Sequence, residues 1–298
     1  MGFAHAGEVC SITCALFWSV ATILFRKSGE HVPPVALNLF KNTVALALFC
    51  ISLAVRGDSF FPATVAGEDW AVLLVSGAVG IGIADTLFFA ALNRLGAGGN
   101  AIVSCSYAPL AVLAAFLYLG EAIGPSLLVA TALMVGAILL GTAQPASASV
   151  RSDTRLTLAG IVLGVASMLI MAVAIVFAKP VLDRTDPWWA TTVRVAGGLV
   201  FLVGQGMLPR HRADVVRAFR PGPAWRVTVP AAVLGSYVAM IVWIIGMKFA
   251  PASTAAVLNQ TSTLFTVIFG WVFLRETVTA RKMLAVALAF GGAVIAIL

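Results

Sequence analysis

Ten runs of apolar residues, each close to the length that crosses a bilayer as a helix, follow one another along this chain. They cover roughly 8–27, 34–56, 69–92, 97–119, 124–143, 155–179, 187–208, 227–249, 252–274 and 280–298. In hydrocarbon every backbone N–H and C=O must be bonded within the protein, so an open segment that spans has to be helical. The expected fold is therefore an all-α integral membrane protein with ten transmembrane helices. Composition agrees: 61% of the 298 residues are hydrophobic, 10% are charged and the mean hydropathy is +1.03. That leaves too little polar surface for a soluble domain of this size. The net charge of +7 does not argue for a nucleic-acid partner, because the basic residues sit in short connectors between apolar runs, where orientation signals belong. The partner these features require is the lipid bilayer, and the expected setting is the cell inner membrane, crossed several times.

The connector 144–154 is small, polar and proline-containing, and it divides the chain almost in half. A repeat lies across it. ALNRLGAGGNAIVSCSYAPLAVLAAFLYLGEAI (91–123) aligns with GMKFAPASTAAVLNQTSTLFTVIFGWVFLRETV (246–278) at a constant offset of 155. Gly80 then meets Gly235, Leu119 meets Leu274 and Glu121 meets Glu276. FRKSGEHVPP near the start of the first half resembles FAKPVLDRTDP in the second, and Lys41 corresponds to Arg194 at an offset of 153. The two units are 1–146 and 147–298. Each holds five spans, an odd number, so the second enters the membrane from the opposite side. Two inverted five-helix repeats form a transporter architecture, with the site expected between the halves near the midplane.

Trp18 in the first span, Lys41 inside the second, and the endings at Leu117 to Glu121 and Leu274 to Glu276 form a further pattern, each ending leading into a Gly- and Ala-rich fifth span. With these residues the chain resembles, over essentially its whole length, the ten-helix EamA branch of the drug/metabolite transporter superfamily, YddG-like amino-acid exporters included. The resemblance implies an inner-membrane exporter of amino acids or related small metabolites, no enzymatic activity and no cofactor. It leaves protons as a candidate coupling ion and a monomer as the working expectation.

Three ionisable residues lie well inside spans: Lys41, Asp85 and Arg194. Such groups face a cavity or a partner. At 1.5 Å per residue, Lys41 and Asp85 lie roughly 10 and 12 Å from the same membrane face, so they can meet. Two readings stand for Asp85: a proton or substrate-ammonium site, or half of a structural ion pair. Lys41 and Arg194 either bind a substrate carboxylate, or close the pore or cap backbone carbonyls. Asn100, Ser104 and Tyr107 share one helix face at i, i+4 and i+7, as do Asn259, Thr263 and Thr266, with Gln260 alongside. These stripes, with Asn38 in the second span, line a cavity or bond helix to helix. Pro109 is expected to loosen the fourth helix. Trp18, Tyr237 and Trp243 lie mid-span, as cavity walls or packing. Trp70, Trp188, Trp189 and Trp225 lie at span edges and read as interfacial anchors. Glu121 and Glu276 read as helix-terminal or solvated.

Cys10, Cys14, Cys50 and Cys105 all fall in apolar runs and read as packing residues. His5, His31 and His211 lie outside or at the ends of spans, so no intramembrane metal site is expected. No GxSxG or HExxH motif is present, which makes a membrane-embedded enzyme the weaker class. A passive facilitator or flippase stays open beside the exporter. Orientation carries a conflict. Apart from Lys41 and Arg194, 13 of 17 basic residues fall in the connectors after odd-numbered spans. That bias puts those connectors in the cytoplasm and both termini outside, whereas the family resemblance implies cytoplasmic termini.

Overall fold

The computed structural model describes residues 5–142 and 154–274, together with positions 280, 284, 287–288, 291–292 and 294–295. Glu276, most of the tenth run and most of the central connector lie outside the described residues. The described elements are all helical. They are α1 (Ala6–Ser28), α2 (Pro34–Arg56), α3 (Gly67–Gly77), a π-helical segment (Ala78–Ala84), α4 (Asp85–Ser104), α5 (Tyr107–Leu119) and α6 (Pro125–Thr142). After the connector come α7 (Thr154–Arg184), α8 (Pro187–Gly206), α9 (Pro209–Ala218), α10 (Trp225–Ala231), a second π-helical segment (Ala232–Ala239), α11 (Met240–Phe249), α12 (Ala252–Asn259) and α13 (Thr261–Leu274). By length and composition five helical stretches among the described residues can cross a membrane, or six if the bent α8–α9 pair counts as one. This is a multi-pass membrane protein.

Local chemistry sets the helix ends. Pro34 opens α2 at its first turn, where the missing N–H costs nothing. Gly57 closes α2 at φ 74°, a left-handed turn that a side chain would strain. Asp186 caps α8, its carboxylate accepting from Trp188 N and Trp189 N at 2.9 and 3.0 Å.

Close approach of backbones sets the packing. A Cβ on Gly77 would lie 1.8 Å from the Arg194 carbonyl oxygen, and one on Gly197 would lie 2.3 Å from that of Leu74. The α3–α8 crossing therefore needs both glycines, as small-residue seams in membranes do. Gly160 and Gly164 form a second seam, against Leu95 and Val103.

Three sequence expectations change. The apolar run 97–119 is not one helix. α4 continues from Asp85 through to Ser104, and the chain breaks at Cys105–Ser106. Pro109 explains the position, because its ring collides with the carbonyl four residues earlier, that of Cys105. The run 252–274 is also broken, at Gln260. No proline acts there; the Thr261 hydroxyl bonds the Leu258 carbonyl at 2.7 Å and competes with the helix ladder. Third, Trp189 is not an interfacial anchor. It is 3% exposed in the core beside Leu53 and Leu73, and its indole N–H donates to the Phe60 carbonyl at 3.1 Å.

Candidate functional site

A cavity of ≈ 150 Å³ lies where α1, both π-helical segments, α7, α8 and both broken helices converge. Among its lining residues are Trp18, Asp85, Asn100, Ser104, Tyr107, Arg194, Trp243, Asn259, Gln260, Thr263 and Thr266, all singled out from the sequence. Positions related by the 155-residue offset line it together: Gly80 and Gly235, Asp85 and Met240, Phe88 and Trp243, Ser104 and Asn259.

Asp85 stands at the junction of the first π-helical segment and α4 and is 5% exposed. Behind it Lys41, fully buried, donates from Nζ to Asp85 Oδ2 at 2.7 Å. The lysine also lies 5.5 Å from the Phe89 ring centroid. Lys41 therefore does not line the cavity; it neutralises Asp85 from the protein side. This arrangement makes a carboxylate tolerable in an apolar span.

Asn38 does not reach the cavity either. Its amide donates to the Ile81 and Gly82 carbonyls at 2.9 and 3.3 Å and to Thr86 Oγ1 at 2.9 Å. A π-helical stretch shifts the backbone ladder by one residue and frees carbonyls. Asn38 takes up two of these, and Ser167 takes a third by donating to Ala84 O at 2.7 Å. Asn42 in turn bonds Asn38 O and Oδ1 at 2.9 and 2.8 Å. This network holds the segment that presents Asp85.

Arg194 differs from Lys41. It is 4% exposed, its Nε donates to Ser76 Oγ at 3.1 Å, and Ser76 in turn donates to Ala174 O at 2.7 Å. Its Nη2 lies over Gly80, 3.7 Å from where a Cβ would be. Among the described residues no carboxylate lies within ion-pair distance of it. A buried guanidinium whose side-chain partner among the described residues is a hydroxyl is a ready partner for an anionic group in the cavity.

The two helix breaks meet. Gln260 Nε2, from the second break, donates at 3.2 Å to Ser104 O, the last residue before the first break. Asn100 and Asn259 line the cavity, and the Oδ1 of each is buried without a bond among the described residues. The aromatic walls are Trp18 beside Phe88 (centroids 6.1 Å apart) and Tyr107 beside Trp243 (6.3 Å). Tyr237 is not a wall. Its hydroxyl bonds Ser52 Oγ at 2.6 Å, and its ring packs on Phe49 and Trp188.

Sequence reasoning missed Ser76, Asn42 and Ser167. They are single polar residues in apolar runs and give no periodic signal. It also missed the placement of Glu121. That carboxylate lies at the end of α5 and accepts from Ala252 N (2.8 Å), Ser253 N (3.1 Å) and Ser253 Oγ (2.6 Å), capping α12 rather than its own helix.

The model of the EamA-like transporter family matches residues 5–142 and 158–298, almost the entire chain. The chain belongs to the EamA-like transporter family. Uncharacterized protein PA1977 of Pseudomonas aeruginosa is 31% identical over 134 residues, which is 45% of this chain and 45% of that protein. The match thus spans a little under half of that relative. A solved crystal structure of a protein superposes with a TM-score of 0.77 at 20% identity, over 97% of this chain and 96% of that one, and shows a shared fold. Membership makes this EamA protein one of a family of membrane transporters of small molecules, which is not a family of enzymes.

Proposed function

We propose that this EamA protein exports amino acids or related small metabolites across the cell inner membrane by alternating access through the central cavity. In this reading the chain holds ten spans in two inverted five-helix repeats, 1–146 and 147–298, that rock about the site. The offset-related pairs lining one cavity support the repeat. So do the π-helical segments and helix breaks at corresponding places in both halves. The observation that carries the substrate class is Arg194, a buried guanidinium in the cavity with a hydroxyl for a partner and, among the described residues, no carboxylate in ion-pair reach. A substrate carboxylate would complete it. Asn259, Gln260, Ser104 and Thr263 offer polar contacts, and Trp18, Tyr107 and Trp243 offer apolar ones. Asp85 is the candidate for the ammonium or for a coupling proton. Lys41, Asn38 and Tyr237 support these groups from outside the cavity.

A passive facilitator is the second reading, favoured by one observation: Asp85 is already neutralised by Lys41. The test is efflux of labelled amino acids from proteoliposomes with and without an imposed pH gradient, for wild type and Asp85→Asn. Gradient-stimulated efflux that the substitution abolishes makes Asp85 the coupling site. Equal downhill efflux in both makes the protein a facilitator. No efflux of any amino acid from active vesicles overturns the substrate class.

A further inference from the structure

The chain turns sharply at the end of α8. α9 leaves it at 117°, immediately after the span. None of the α9 residues is buried. Its apolar side leans on the bundle: Val215 and Ala218 pack on the cluster holding Ala36 and Leu37 of α2. Just beyond, Phe219 and Trp225 both meet Phe40 edge-on with centroids 5.3 Å away, and the Trp225 indole donates to Ala218 O at 3.0 Å. The outward side carries exposed Arg210, Arg212 and Arg217; the turn that follows adds exposed Arg220, and the start of α10 adds exposed Arg226. The acid among them is Asp214, 3.7 Å from Arg217. Among the described residues the other four arginines make no ion pair. The end of α1 lies alongside, since Ser28 and Thr228 share a hydroxyl bond of 2.6 Å, and it adds Arg26 and Lys27 against one carboxylate, Glu30.

From this geometry we infer that α9 and its flanking turn form a docking surface for anionic phospholipid headgroups. A helix at the end of a span, lying across it, with aromatic and apolar contacts inward and unpaired guanidiniums outward, sits at headgroup depth. Guanidinium forks bind phosphate in bidentate fashion, and clustered basic residues at this level attract an anionic leaflet. The surface also bears on the transport machinery. Phe219, which directly follows α9, braces Phe40, the neighbour of buried Lys41, so headgroups that hold α9 and its flanking turn steady the helix that neutralises Asp85.

The experiment is hydrogen exchange on the full chain in nanodiscs of phosphatidylcholine alone and of phosphatidylcholine with phosphatidylglycerol. Wild type is compared with R210Q/R212Q/R220Q/R226Q and with the four Arg→Lys changes at the same positions. Wild type should exchange at least about tenfold more slowly over 209–224 in the anionic discs. That protection should vanish near 1 M salt, where the Debye length is about 3 Å. The Lys variant should keep most of it and the Gln variant none. Equal exchange of wild type in both discs overturns the inference, as does full protection in the Gln variant. Protection by inorganic phosphate in neutral discs would also overturn it, since the surface would then be a free-anion site.

Discussion

A fully buried lysine and a nearly buried aspartate 2.7 Å apart are mutually dependent. Each charge taken alone out of water costs several kcal/mol, and each is offset mainly by the other. Lys41→Met should therefore lower stability by about 3–5 kcal/mol, and Asp85→Leu by a similar amount. The double substitution should recover most of the loss, because it leaves no orphan charge. Thermal or denaturant unfolding of the four proteins in one detergent measures this cycle. A Lys41→Met chain as stable as wild type would show that Asp85 relies on solvent rather than on Lys41. Arg194 stands apart from this logic, because its partner is the Ser76 hydroxyl and its guanidinium borders the cavity.

Among the elements, the broken helices and their links carry the most consequence. The break after Ser104 and the break at Gln260 share a hydroxyl back-bond, Ser106 to the Val103 carbonyl and Thr261 to the Leu258 carbonyl, each at 2.7 Å, with Pro109 added in the first half; they fall at offset-related positions and touch through Gln260. Glu121 ties the end of α5 to the start of α12, placing a negative charge where free N–H groups and the helix dipole favour one. Arg56 reaches Asp186 at 3.3 Å, and the Arg184 guanidinium pairs with Asp69. Each of these contacts joins residues from opposite sides of the central connector. If the halves rock, these contacts break as that end opens. Glu121→Gln removes charge-assisted bonds worth about 1.5–3 kcal/mol. A destabilisation of that size shifts a closed–open equilibrium about tenfold or more. Cys14 lines the cavity and supplies a native reporter. In a background with Cys10, Cys50 and Cys105 changed to Ser, Glu121→Gln should speed labelling of Cys14 by a small thiol reagent about tenfold. An unchanged rate would mean that the cap does not hold the cavity closed.

At the scale of the molecule, the charge distribution distinguishes its two ends. α1 starts with Gly7 against Ala250 and ends with Ser28 against Thr228, so its 23 residues separate the N-terminal end from the α9 end by roughly 33 Å. At the N-terminal end the basic residues are engaged: Arg56 with Asp58 and Asp186, Arg184 with Asp69, Lys179 with Asp183, and Lys248 with the Thr185 carbonyl. At the α9 end, among the described residues, Arg210, Arg212, Arg220 and Arg226 make no ion pair. Free positive charge is what orients a span during insertion. The expected orientation puts α9 in the cytoplasm and the N-terminus outside, the reverse of the family's implied arrangement. An impermeant thiol reagent on intact cells should label Ser59→Cys, and should label Arg220→Cys only after permeabilisation. The opposite pattern would place the N-terminus inside.

What the sequence by itself determined follows from the bilayer as solvent. Apolar runs of spanning length must be helical, and a charge inside one must face a cavity or a partner. That reasoning reached Lys41, Asp85, Arg194 and the stripes around Ser104 and Asn259 before any coordinates. A linear reading cannot supply the rotation of each helix about its axis or the identity of its neighbour. Those turned Asn38 and Tyr237 away from the cavity, placed Lys41 behind Asp85 rather than beside the substrate space, and buried Trp189. The breaks beside Pro109 and Thr261 were also decided in three dimensions. An interrupted backbone survives at membrane depth only where other groups, here Gln260 on the Ser104 carbonyl, take up what the helix releases.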